Sequence, residues 1–176
     1  HMSSGQLSAA GTRLQAARAI NDTPQKHFED AMRISHRRAD AQYLRKVIDN
    51  AADTLHWLLD NGYEVMPDHP IIYLAHEPYS EPRTYFGPRK ALGILDAMLP
   101  LYQTQERAGR IKTLLNTTVT GVIQDRDGAV HGLRYADAAG ITYASSSKNT
   151  VLALGGYARH PERFKTWTHG YPLYSW

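Results

Sequence analysis

The strongest constraint on the fold is a change in the spacing of apolar residues near Arg110. Before it, apolar residues recur every three or four positions, as in Leu44, Val47 and Ile48, which indicates amphipathic helices. After it, short β-rich runs are separated by Gly-containing turns such as Asp127-Gly128, which predicts hairpins. Helices followed by an antiparallel meander place the chain in the α/β or α+β class.

Local signals mark where the predicted helices begin and end. Thr23-Pro24 can cap and open a helix, and Asn61-Gly62 can end one. Pro100 removes an amide from the third helix, so we expect a kink or a break near Ala97. The predicted helices span about 24–36, 40–60 and 88–108.

Four β-rich runs follow, and a fifth differs from them. The four are "RIKTLLN", "TVTGVIQD", "AVHGLRYAD" and "ITYASS". The fifth, Val151–Leu154, is apolar at every position, which predicts a strand buried on both faces. It ends at Gly155-Gly156, where backbone without side chains could lie against a ligand or form a plain tight turn. The spacing leaves both interpretations open.

Length and composition exclude several classes of protein. A chain of 176 residues fits a single domain, with a helical part over about 8–109, a β-rich part over about 110–158 and a last stretch over 159–176. No apolar run is long enough to span a membrane. The absence of cysteine excludes disulfides and thiolate metal sites, and it suggests a cytoplasmic location. The nine histidines lack the spacing of metal ligands, so no metal site is predicted.

The basic residues suggest one minor alternative, a domain that binds a polyanion such as nucleic acid. The formal charge is +3, and the candidate contacts would be Arg37, Arg38, Arg83 and Arg89. Two of them lie in "EPRTYFGPRK", a segment that could either bind an anion or anchor a surface loop through its aromatic residues.

Two glycine-bearing segments carry a resemblance to a known family. "NTVLALGGYARHPERF" resembles the apolar strand and Ala-Thr-Gly-Gly-aromatic motif of the FAD-dependent fumarate reductase and succinate dehydrogenase flavoproteins, a superfamily that includes the ketosteroid dehydrogenases. Leu154 stands where that motif has threonine. "SSGQLSAAGTRLQ" is similar to the family's Ser-x-x-Ser-Gly-Gly segment, with Gln6 at the second glycine position. In the family, a strand position that corresponds to Val119 touches adenine through its backbone.

The resemblance implies a partial FAD-binding domain from an oxidoreductase that acts on a small molecule. The implied cofactor contacts are Ser3, Ser4, Gly5, Thr12, Val119, Ala153, Gly155, Gly156 and Tyr157. The pyrophosphate fingerprint G-x-G-x-x-G is absent from this sequence, so we expect the chain alone to bind FAD weakly or not at all and to be inactive. The catalytic residue is unknown, and residues 159–176 would begin a linker to a capping domain.

A second alternative is a non-catalytic module that interacts with a partner or forms a homo-oligomer through exposed sheet edges.

Overall fold

The structure is a computed structural model that describes residues 3–74, 78–156 and 160–170. Its elements form two compact units, His1–Thr113 and Leu114–Trp176, and the prediction of a single domain stays a prediction. The first unit contains β1 (Leu7–Ser8), α1 (Arg13–Ala16), α2 (Pro24–Ile34), α3 (Ala41–Asp49), α4 (Ala51–Asp60), β2 (Thr84–Tyr85) and α5 (Ala91–Arg107). The second contains β3 (Thr118–Gln124), β4 (Val130–Ala136), β5 (Thr142–Ser146) and α6 (Pro161–Trp167).

The helices of the first unit begin where side chains can satisfy their free amides. The Thr23 side chain accepts a hydrogen bond from the Lys26 amide at the start of α2, which confirms the helix predicted there. Asp40 caps α3 by accepting from two amides. The helix predicted over 40–60 is two helices. They meet at Asn50, which is the C-cap residue of α3 and the N-cap residue of α4.

α5 runs without interruption through Pro100, so a break near Ala97 is wrong. Ala97 is buried, and Ile94 packs on the same core. Burial of this face holds the helix together although the proline lacks one backbone donor. The carbonyl of Pro100 accepts a hydrogen bond from the Thr104 hydroxyl at 2.9 Å.

The core of the first unit joins α4, α5 and a small sheet that the sequence analysis did not predict. Its buried members are Ala9, Leu55, Leu58, Tyr63, Tyr85 and Ala97. In the small sheet β1 pairs antiparallel with β2, with Leu7 opposite Tyr85 and Ser8 opposite Thr84. Strands of two residues are too short to show an alternating pattern, which is why the sequence analysis missed them.

The second unit confirms the antiparallel meander and with it the α+β class. Its strands lie in the order β3, β4, β5, and Val119 and Tyr143 both lie opposite Tyr135. Asp125 and Asp137 shape the two turns by accepting hydrogen bonds from backbone amides two and four residues later. The run "RIKTLLN" is not a strand.

The buried strand predicted over Val151–Leu154 is wrong. These residues have no regular structure, and Val151, Leu152 and Leu154 are 87%, 60% and 76% exposed. A strand is buried on both faces only when neighbouring strands and covering layers are present. Among the described residues no strand pairs with this segment, so its apolar side chains remain in solvent.

Candidate functional site

The segment Ser3–Gly5 lies directly against the start of α5. Gly5 has φ +67°, and a β-carbon at this position would come within 2.4 Å of the Ala91 nitrogen. Only glycine fits such a backbone contact. Ser3 accepts a hydrogen bond from the Gly5 amide at 3.2 Å, while Ser3 and Ser4 themselves are exposed. The two hydroxyls therefore lie at the surface beside a helix N-terminus.

The start of α5 has the electrostatic character of an anion-binding position. The helix is 17 residues long, and no side chain caps it because its N-cap residue is Lys90, at φ 54°. The Leu92 and Gly93 amides donate to the Arg89 and Lys90 carbonyls at 3.1 Å, so the positive potential of this helix end comes from the helix dipole. With Lys90 and the neighbouring serine hydroxyls, this region can attract a phosphate or carboxylate group.

Thr12 lies inside the unit and uses its hydroxyl for protein contacts. It is 2% exposed; its Oγ1 lies 2.6 Å from the Tyr85 hydroxyl and accepts from the Gln15 amide at 3.1 Å. Burial raises the pKa of Tyr85 to about 12, so the phenol stays protonated at neutral pH and can take part in this hydrogen bond. In this structure Thr12 caps α1 and ties it to β2.

A buried ionic cluster around Arg83 was missed by the sequence analysis. Arg83 is fully buried, and its Nε and Nη2 donate to the two carboxylate oxygens of Asp22 at 2.9 and 2.8 Å. Its Nη1 donates to Asp30 at 2.7 Å. Two aspartates eight residues apart and an arginine some fifty residues later show no periodicity that could reveal such a cluster.

Arg83 cannot be a contact in the alternative function, a domain that binds a polyanion. A guanidinium with no solvent exposure and two carboxylate partners cannot reach an outside ligand. Arg89 is exposed, and its Nε lies 2.7 Å from Asp96. The segment "EPRTYFGPRK" is thus anchored inward by Arg83, Thr84 and Tyr85, all of them buried.

Two titratable groups, Asp30 of the cluster and His27 beside it, have shifted pKa values. Burial acts to raise the pKa of Asp30, but hydrogen bonds from Ser80 and Arg33 and the charge of Arg83 lower it to about 2. Burial, reinforced by the Arg83 charge, lowers the pKa of His27 to about 4. At neutral pH, therefore, Asp30 is ionised and His27 is neutral.

In the second unit the predicted contacts lie at the surface. Val119 is 44% exposed on β3, an outer strand of its sheet, so one edge of its backbone has no strand partner among the described residues. Gly155, at φ +78°, and Gly156 have no atoms within 4 Å of the place a β-carbon would occupy. Both line a concavity of about 380 Å³ with His160 and Arg163. Ala153 lies in the segment without regular structure, and Tyr157 lies outside the described residues.

Four of the predicted contacts thus lie in the first unit and four in the second. Ser3, Ser4 and Gly5 are adjacent at the α5 start, whereas Thr12 lies in the interior with its hydroxyl on Tyr85. Within residues 3–74, 78–156 and 160–170, no three His, Asp or Glu side chains are arranged to hold a metal ion. Over the same residues, no helix combines the length and apolar character needed to cross a membrane.

Comparison with known proteins places these features in a family. Residues 1–172 match the family described as FAD binding domain. The chain is 29% identical to a vinyl phenol reductase of Lactiplantibacillus plantarum over 93% of this chain and 31% of that protein. It spans less than a third of the length of the curated relatives it matches.

Two solved structures share the fold. One is the open conformation of a flavocytochrome c3 fumarate reductase, with a TM-score of 0.77 and 24% identity over 94% of this chain and 28% of that one. The other is a 3-ketosteroid-Δ4-(5α)-dehydrogenase from Rhodococcus jostii RHA1, with a TM-score of 0.68 and 19% identity over 94% of this chain and 40% of that one. Relatives of the chain include a probable fumarate reductase of Shewanella frigidimarina, and the chain belongs to the FAD binding domain family, whose cofactor is FAD.

Proposed function

We propose that this chain forms part of the flavin site of an FAD-dependent oxidoreductase, and that other parts of the same protein complete the site. The observation that carries the proposal is the packing of Ser3–Gly5 on the uncapped start of α5. This geometry places two serine hydroxyls beside a positive helix end at one surface, which suits the phosphates or the polar ring edge of a dinucleotide. The small share of each relative that the chain covers supports the second half of the proposal.

The proposed contact residues differ in how well their surroundings suit binding of FAD. Gly155 and Gly156 leave open space above their backbone, as a surface that lies against a flat ring would. Ser3 and Ser4 are exposed and can donate hydrogen bonds. Thr12 has its hydroxyl committed to Tyr85, so it would support the site from behind. We keep Val119 and Ala153 as proposed backbone contacts.

Bound FAD would supply hydride chemistry to the small-molecule substrate of the complete protein. The residues of this chain would bind and orient the cofactor through the backbone near Gly5 and through the positive end of α5. No proton donor is assigned to this chain. We propose that the chain alone is inactive.

The test is an FAD titration followed by quenching of flavin fluorescence. The chain of residues 1–176 should bind weakly or not at all, and a longer chain with the preceding part of the same protein should purify yellow. In the longer chain, Gly5→Ala should weaken FAD binding at least tenfold, since the added β-carbon would displace the segment from Ala91. The matched control is Gly109→Ala, at φ +69° with no neighbouring atoms, which should leave affinity unchanged.

Two results would contradict the proposal. Tight stoichiometric binding by residues 1–176 would show that the site needs nothing further. A longer chain that folds but stays colourless would remove the flavin role itself.

A second candidate function, an association module, is favoured by exposed apolar side chains. Leu95 and Leu99 on α5 are 52% and 50% exposed, and Val151 and Leu154 are more exposed still. Surfaces of this kind favour contact with a partner. Sedimentation velocity of residues 1–176 over a range of concentrations discriminates, because a defined dimer would support this candidate and a monomer would oppose it.

A further inference from the structure

A backbone hydrogen bond connects the Arg83 cluster to the end of β1, and the chain itself connects β1 to the Ser3–Gly5 segment. The Ala9 amide donates to the Arg83 carbonyl at 3.1 Å, immediately beyond the pairing of β1 with β2. β1 begins two residues after Gly5. Whatever holds Arg83 in place therefore also sets the position at which β1, and the segment before it, lies on the unit.

The backbone hydrogen bonds of β2 are few. It has two residues and lies between β1 and Ile71, which exchanges two backbone hydrogen bonds with Thr84 at 3.0 and 3.1 Å. So short a strand contributes few ladder bonds, and an isolated pair of this size is not stable by itself. Side chains supply the rest: Tyr85 packs in the core with its hydroxyl on Thr12, and Arg83 is the buried charged residue that directly precedes the strand.

The cluster fixes this region from several sides. Gln15 donates through Nε2 to both Asp22 and the Pro82 carbonyl, each at 2.8 Å. Asp30 accepts from the amide and the hydroxyl of Ser80, both at 2.7 Å. Residues 80–83 are thus bonded to α1, to Asp22 ahead of α2 and to α2 itself. A bidentate arginine–carboxylate pair adds direction as well as energy.

We propose that Arg83 is a positioning residue for the Ser3–Gly5 segment. Its paired contacts with Asp22 and Asp30 hold β2, β2 holds β1, and β1 sets the segment on the start of α5. The consequence for cofactor binding depends on the proposed flavin function; the positioning itself does not. Arg83 touches no ligand in this scheme, because it is fully buried.

Amide hydrogen exchange on residues 1–176 tests the positioning directly. Arg83→Met should accelerate exchange at Leu7, Ser8 and Ala9 at least tenfold more than at the α4 amides. The substitution removes the contacts that hold β1 through β2 but leaves the packing of α4 intact. Arg83→Lys keeps the positive charge but loses the bidentate contact with Asp22, so it should accelerate exchange at β1 by an intermediate amount. Arg13→Met is the matched control: it breaks an exposed pair with Asp60, 2.6 Å long, and should leave β1 exchange unchanged.

One more variant keeps the test decisive if Arg83→Met does not fold. The triple variant Asp22→Asn, Asp30→Asn, Arg83→Met removes the buried charges together, so no carboxylate is left without its partner. It should fold and still show fast exchange at β1. Equal acceleration across all first-unit amides, or none at β1 in a folded variant, would overturn the proposal.

A separate arm measures FAD binding in the longer chain. If the wild-type longer chain binds FAD, Arg83→Met should weaken binding at least tenfold, and unchanged affinity would refute the functional consequence. If no chain binds FAD while β1 exchange responds selectively, the flavin function fails and the positioning role stands.

Discussion

At the scale of single residues, two positions show how local chemistry and surroundings combine. Position 5 requires glycine for two reasons: its φ is positive, and a β-carbon would clash with the backbone of Ala91. His27 is buried beside a cationic guanidinium, and burial disfavours its charged form. In both cases the residue type is visible in the sequence, while the reason for it lies in a neighbour distant along the chain.

Replacing Gly5 by alanine should lower the free energy of unfolding by about 3 kcal/mol. Roughly 1 kcal/mol is the cost of a left-handed backbone for alanine, and the rest comes from contact with the α5 backbone. Gly109→Ala, with nearly the same φ and open surroundings, should cost only about 1 kcal/mol. Urea unfolding measures both variants, and equal losses would show that the contact with Ala91 is unimportant.

The pH dependence of stability should carry the signature of His27. Its pKa falls from 6.5 in the unfolded chain to about 4 in the folded one, so the unfolded state binds more protons between these values. Stability is therefore fully present above pH 6.5 and falls as the pH drops toward 4, by about 3 kcal/mol at most. Asp30 adds a second loss from pH 3.8 down to about 2.

His27→Gln should remove the loss of stability between pH 6.5 and about 4 and leave the loss between pH 3.8 and about 2 unchanged. His36→Asn serves as the control at an exposed histidine. Urea unfolding at several pH values from 7 to 4 gives the comparison, and a slope unchanged by His27→Gln would exclude His27 as its source.

At the scale of elements, the predictions that held rest on local signals. The start of α2 at Thr23-Pro24 and the three meander strands with their aspartate-shaped turns follow from capping, periodicity and turn chemistry. The predictions that failed concern elements that depend on neighbours. Val151–Leu154 has the composition of a buried strand, but in this structure nothing pairs with it.

Because this segment is exposed, charges should be tolerated within it. Leu154→Asp should change the free energy of unfolding by less than about 0.5 kcal/mol, as at other exposed sites. Leu55→Asp, at a residue 2% exposed, should prevent folding, since a carboxylate would enter the core. Thermal unfolding followed by circular dichroism measures both. A large loss for Leu154→Asp would mean that the segment is packed in solution.

At the scale of the whole molecule, the match to a family and the similarity of fold to solved structures agree. The family match covers residues 1–172, and the two solved structures described above share its fold. The α+β class, the cofactor of the family and the resemblance carried by the two glycine segments could be predicted from sequence, because short motifs and periodicity are local. The Arg83 cluster and the β1–β2 pair could not, because their members lie far apart along the chain and share no repeat.

The sequence alone determined which segments become helices or hairpins and which family they resemble, since caps, turns and apolar spacing act over a few residues. Only the tertiary structure decided that Gly5 packs on the α5 start, that Arg83 faces inward and that Val151–Leu154 stays exposed. The physical reason is that burial and ion pairing depend on which distant groups meet. Arg83 and Arg89 are both arginines of one short segment, yet Arg83 is fully buried between two carboxylates and Arg89 lies at the surface.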